Sequence, residues 1–150
     1  MVARHIRTEA ILPASPERVW AVLADFSRYS EWNPLNTSAA GLGRMGERVR
    51  MTIASPLNPR RPLRMTVRIM RFKPVRLLAW VGGIPFVFRG EHVFRLDPVP
   101  EGTPLLHTET ITGLITHRIT DRAVTEKFVP AYDAANRALA TRVSETTLAA

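Results

Sequence analysis

Cysteine is absent from the chain, which excludes disulfides, thiol nucleophiles, zinc–thiolate sites and iron–sulfur ligation. There is also no run of 18 apolar residues to cross a bilayer, and the opening "MVARHIRTEAILPAS" lacks the apolar stretch of a secretory leader. A soluble, cytoplasmic protein is expected. Acidic residues are few, 13 against 21 basic ones for a net charge of +8, and of those 21 only Lys73 and Lys127 are lysine. Such an excess can mark a polyanionic partner. The arginines are scattered from Arg4 to Arg142, with no block longer than the pair at 60 and 61, so nucleic acid is an unlikely partner. No G-x-S-x-G elbow occurs, and the serines fall in caps, loops or the tail, which removes serine hydrolysis.

What is present is ordinary globular composition, 45% hydrophobic and 23% charged in 150 residues. One domain over residues 1–150 is the expectation, since a chain of this size can bury a core of its own. Aromatics are sparse, yet "SPERVWAVLADFSRYSEWNP" at 15–34 holds Trp20, Phe26, Tyr29 and Trp32.

The chain reads as a strand over Arg4–Leu12, then a helix opened by Ser15 and Pro16, since serine can accept an orphan amide bond and proline has no amide to satisfy. A second short helix runs from Arg28 to Trp32 with Ser27 as cap, stopped by Asn33 and Pro34. "NTSAAGLGRMG" reads as a small-residue loop. Period-two segments follow over Glu47–Ala54, Leu63–Phe72, Arg76–Val81, Phe86–Leu96 and Leu105–Leu114, with "SPLNPRRP", "GGIP" and "DPVPEGTP" between them. That makes six strands, an antiparallel meander. From Thr120 to Thr147 the period changes: Phe128, Tyr132, Ala135, Leu139 and Val143 form an apolar stripe for one long helix, with Pro130 predicting a kink or break. The fold class is α+β: a curved antiparallel sheet wrapped around a long C-terminal helix, with two short helices after the first strand.

This order, with "PASPERVWAVLADFSRYSEWNP" near the start, "FRGEHVFRL" at 88–96 and "HTETITGLI" at 107–115, resembles the START-like or SRPBCC superfamily over essentially the whole chain. That superfamily includes polyketide cyclase/dehydrase-like proteins and the birch-pollen-allergen family. The resemblance implies a helix-grip (START/Bet v 1-like) fold with an apolar cavity between sheet and helix, and it spans lipid carriers, hormone receptors, cyclases and chaperone regulators. Function therefore has to be read from the site.

If Leu96 faces Leu105, then Phe94 faces His107, His92 faces Glu109 and Gly90 faces Ile111, all on one side of the sheet. A His/Glu pair inside the cavity serves an acid/base catalyst or a satisfied polar pair equally well. His92, Glu109 and Tyr132 are the groups expected to orient a ligand, with Met65, Val67, Trp80, Phe88, Phe94, Phe128 and Leu139 as lining. Trp32 is either wall at the cavity mouth or, with its neighbouring rings, glue for the helical elbow. His92, His107 and Glu109 form a legitimate metal set on paper, but no metal and no cofactor is expected. Gly82 and Gly83 read as a turn beside the entrance.

Two functions are carried forward. One is a binding protein for a lipid, isoprenoid or polyketide-like molecule. The other is an aromatase/cyclase-type enzyme using His92 and Glu109. A third class, docking to a protein, nucleic acid or anionic membrane, rests on the positive outer face of the 47–72 hairpin, where Arg48 faces Arg68. Oligomeric state has no signal in the sequence.

Overall fold

In the computed structural model residues 2–148 are described, with the side chains of 146–148 left aside. The strands are β1 (Arg4–Leu12), β2 (Asn36–Ala40), β3 (Arg48–Ile53), β4 (Leu63–Lys73), β5 (Leu77–Ile84), β6 (Phe88–Leu96) and β7 (Thr103–Thr112). They form one antiparallel sheet in the order β1-β7-β6-β5-β4-β3-β2. Six strands follow one another as a meander, and β1 closes the far edge against β7. The sheet curls around the C-terminal helix, which gives the helix-grip fold.

Helix α1 (Pro16–Leu23) begins as its sequence dictates: Ser15 Oγ accepts from the Arg18 amide and Pro16 occupies the first turn. Its buried face is Val19, Trp20, Val22 and Leu23. The next element differs from expectation. It is a 3-10 helix over Phe26–Glu31, and Ser27 does not cap it; its hydroxyl bonds the Asp25 carboxylate at 2.6 Å. The tighter winding turns Phe26 and Tyr29, three residues apart, to the same inward side. Tyr29 donates its hydroxyl proton to the Leu23 carbonyl, and Phe26 meets Trp80 of β5 edge-on at 5.8 Å. The rings thus fasten the elbow to the sheet.

Two further expectations are corrected. The small-residue loop contains a seventh strand, β2, which pairs with β3 through a register shift between Asn36 and Ser38. As an edge strand it needs partners on one side only, and so needs no run of β-branched residues. Likewise Gly82 and Gly83 do not turn: they continue β5 opposite Gly90 and Arg89. The reversal falls on Ile84–Val87, where the Val87 amide bonds the Ile84 carbonyl at 3.0 Å, Pro85 supplies the second residue and Phe86 takes φ 66° in the third. Proline favours that second position, so the turn forms two residues later than the glycines suggest.

Beyond β7 come a 3-10 helix (Leu114–Arg118) and the C-terminal helix, opened by Thr120 Oγ1 accepting from the Ala123 amide. The expected kink at Pro130 takes a specific form. α2 (Asp121–Ala123) widens into a π turn over Val124–Phe128 before α3 (Val129–Leu148) resumes. Pro130 has no amide to give the ladder, and the extra residue in the preceding turn re-phases the helix there. Among the described residues no helix is long and apolar enough to cross a membrane.

The core forms two packed clusters. One joins α1 and the elbow to Val49, Met51, Val67, Ile69, Trp80 and Phe94; the other joins Ile6, Leu35, Ile111 and Ile119 to Phe128, Tyr132 and Ala135 of the C-terminal helix.

Candidate functional site

A cavity of about 330 Å³ takes its walls from both clusters. Val67 of β4 and Trp80 of β5 line one side, and Ile111, Ile119, Phe128 and Tyr132 the other; Pro56, Leu57, Ile84, Val87 and Ile115 come from the loops and turns around it. Two glycines have a specific place on this wall. Gly82 and Gly90 pair across β5 and β6, and both lie on the wall. A Cβ on Gly82 would sit 2.7 Å from Val67 Cγ1, and one on Gly90 would sit 2.7 Å from Glu109 Oε1. At both facing positions neighbouring side chains, Val67 and Met65 over Gly82 and Glu109 over Gly90, pack against bare backbone where a Cβ would stand.

Eight residues singled out in the sequence lie on this wall: Met65, Val67, Trp80, Phe88, His92, Glu109, Phe128 and Tyr132. Three do not. Phe94 is covered by Trp80 and by His107, whose ring stacks on it at 4.2 Å. Leu139 lies nearly two turns past Tyr132 and packs in the α1 cluster. Trp32 sits at the elbow against Tyr29, ring centroids 5.2 Å apart, its indole nitrogen buried without a hydrogen-bond partner. Sequence reasoning missed Leu35, Asn36 at the start of the unrecognised strand, the loop 55–57, and Ile115 and Ile119.

The predicted register holds: His92 faces Glu109 and Phe94 faces His107. Around the pair the structure adds a buried polar chain. His92 Nε2 and His107 Nε2 lie 2.5 Å apart, His107 Nδ1 meets Asn136 Oδ1 at 2.7 Å, Asn136 Nδ2 donates to Thr8 Oγ1 at 2.9 Å, and Thr8 Oγ1 donates to the His107 carbonyl at 3.0 Å. Thr8, His92, His107 and Asn136 are all at least 96% buried. The Tyr132 ring stacks on both imidazoles, 5.4 Å from His92 and 4.9 Å from His107. Asn136 was overlooked, although a polar residue one turn after Tyr132 on the inward stripe was the available signal.

Burial governs the charges here. It pushes the Glu109 carboxyl up to about 8. It lowers His107 to about 4, against a smaller upward pull from its bond to Asn136. It also takes His92 well below the usual imidazole range, helped by the neighbouring His107. His92 Nδ1 and Glu109 Oε2 are 4.0 Å apart, within reach of an ion pair, but a carboxyl moved up and an imidazole moved down make the pair neutral near pH 7. The cavity therefore offers an uncharged acid beside an uncharged base. With both Nε2 atoms turned on each other, His92, His107 and Glu109 do not converge as ligands, and among the described residues no group of three or more such side chains does.

Gly41, Gly43 and Gly46 match the letters of a dinucleotide fingerprint. They join strand β2 to strand β3, with no helix N-terminus to receive a phosphate.

A family model described as polyketide cyclase / dehydrase and lipid transport matches residues 3–144. None of the curated proteins matches. Among solved structures, a START superfamily protein from Mycobacterium smegmatis superposes with a TM-score of 0.77 at 16% identity, over 95% of this chain and 98% of that one. The Zhui aromatase/cyclase from Streptomyces sp. R1128 superposes with a TM-score of 0.76 at 21% identity, over 97% and 96%. Ara h 8.0201 does so with a TM-score of 0.72 at 10% identity, over 96% and 99%. At these identities the likeness is one of fold.

Proposed function

This chain belongs to the polyketide cyclase / dehydrase and lipid transport family, and from that premise we propose that it binds a hydrophobic small molecule, a lipid, isoprenoid or polyketide-like compound, between sheet and C-terminal helix. One observation carries the reading: the largely apolar cavity of about 330 Å³ between the sheet and the C-terminal helix. Burial of the ligand's apolar surface, about 25 cal/mol per Å² before ordering costs, drives uptake. Glu109, His92 and Tyr132 orient it, and no cofactor is needed. Native mass spectrometry of gently purified protein tests this. A co-purifying apolar molecule bound one to one supports it; a bare chain that also takes up no added apolar compound refutes it.

A second reading is favoured by the neutral acid next to a neutral imidazole, and it makes the protein a cyclase-type enzyme. In the dehydration that follows ring closure, Glu109 gives its proton to the departing hydroxyl while His92 Nδ1 takes a proton from the adjacent carbon. Water leaves, the double bond forms, and the proton returns from His92 to Glu109. Turnover of a poly-β-ketone that is lost in His92→Ala while binding persists supports this reading. Binding without turnover in the wild type leaves the carrier.

A further inference from the structure

The buried chain has only one consistent assignment of its protons, and that assignment says what the ligand must bring. Thr8 Oγ1 spends its proton on the His107 carbonyl, so it accepts from Asn136 Nδ2, and the Oδ1 end of the same amide accepts from His107 Nδ1. Neutral His107, with its proton on Nδ1, is an acceptor at Nε2. His92 must then donate its own Nε2 proton across the 2.5 Å contact, because two protonated nitrogens cannot share it. That leaves a bare lone pair on His92 Nδ1, 4.0 Å from Glu109 Oε2. A carboxylate there would set acceptor against acceptor, so the carboxyl keeps its proton, in the same sense as the upward push that burial gives it.

Acid and lone pair are nevertheless too far apart to bond each other, since 4.0 Å exceeds hydrogen-bond length. The cavity wall thus carries one free donor and one free acceptor side by side. A single oxygen at ordinary hydrogen-bond distance from both would bridge them with roughly a right angle at the oxygen. We infer, on the reading that the cavity holds a hydrophobic molecule, that its ligand carries an uncharged hydroxyl (alcohol, phenol or enol) in this gap, accepting from Glu109 and donating to His92 Nδ1. An ether or ketone satisfies the acid alone. A carboxylate meets the lone pair with a buried negative charge and is rejected. Gly90 belongs to the same device, because a Cβ there would press on Glu109 Oε1 at 2.7 Å.

The test uses three naphthalenes carrying hydroxyl, methoxy or carboxylate at the same position, titrated by fluorescence into the wild type and Glu109→Leu. The hydroxyl compound is expected to bind the wild type roughly fivefold or more tightly than the methoxy compound, the difference made by one hydrogen bond to a buried acceptor. The carboxylate should bind weakest. In Glu109→Leu the hydroxyl and methoxy compounds should both lose the bond they accept from the acid and bind several-fold more weakly, while the preference for hydroxyl, made by His92 Nδ1, persists. Equal binding of hydroxyl and methoxy compounds, or tightest binding of the carboxylate, overturns the inference with the cavity reading intact; no binding by any of the three overturns both. A second measurement needs no variant: nitrogen-15 correlation spectra of the histidine rings should show His92 protonated on Nε2 and bare on Nδ1. A proton on His92 Nδ1 overturns the inference.

Discussion

Gly82 and Gly90 face each other across β5 and β6 on the cavity wall, with the side chains of Val67 and Glu109 lying over them. Adding one methyl at each position separates the packing of Val67 and Met65 from the placing of the acid. Gly90→Ala meets only the end of the Glu109 side chain, at 2.7 Å, which can swing aside; folding stability should change by less than about 1 kcal/mol, while the affinity for a hydroxyl-bearing ligand falls several-fold. Gly82→Ala meets Val67 Cγ1 at 2.7 Å and Met65 Sδ at 3.1 Å, in packed surroundings, and should cost about 1–3 kcal/mol. Urea denaturation of both variants, with probe titration, reads the two effects separately.

The polar chain is expected to behave as one unit. Thr8→Val removes the acceptor of Asn136 Nδ2, and Asn136→Leu removes the acceptor of His107 Nδ1; each leaves buried partners unpaired and should cost about 1–3 kcal/mol. The double variant should lose clearly less than the two single losses added together, since either change already breaks the shared bond. Simple additivity in a denaturation cycle would mean that the groups act independently.

Stability should pass through a maximum near pH 6.5. His107 is lowered from 6.5 to about 4 and His92 is lowered too, so in this window the unfolded chain binds more protons at these sites and stability rises with pH. Glu109 is raised from 4.5 to about 8, so over that range the folded chain holds the extra proton and stability falls as pH rises. Two histidines outweigh one carboxyl up to 6.5. Above it only the falling contribution remains, on the order of 2 kcal/mol by pH 8, at about 1.4 kcal/mol per pH unit. Melting temperatures of the wild type and Glu109→Gln across this range check the sign: the amide should erase the decline above pH 6.5.

Several of these relationships were legible in the sequence, for reasons that also explain the gaps. The β6–β7 register follows from period-two alternation and the position of one turn, which suffices to set His92 opposite Glu109. The β3–β4 pairs follow in the same way, Arg48 facing Arg68. Ser15 and Pro16 announce α1 because capping is local chemistry. β2 was hidden because an edge strand of Asn, Thr, Ser and Ala carries almost no apolar alternation. Gly82 and Gly83 misled because glycine marks both turns and places where something else needs the room of a side chain. The chain from His107 through Asn136 to Thr8 joins β7, α3 and β1, residues up to 128 positions apart, and only the tertiary fold brings them together. Phe94 and Leu139 were apolar residues on inward stripes, and a stripe alone does not tell which inward positions meet a void and which meet a neighbour; Trp32 packs at the elbow, the other of the two places its sequence context allowed.

The central claim is that an apolar molecule occupies the space between sheet and C-terminal helix, and intermolecular nuclear Overhauser effects from bound methoxynaphthalene to the protein's methyl groups test it most directly. Saturable one-to-one binding with contacts to Val67, Ile111 and Ile115 is the predicted result, as these methyls line the cavity on three sides. Contacts confined to outward-facing methyls such as Met70 and Val99, or no saturable binding at all, would contradict it.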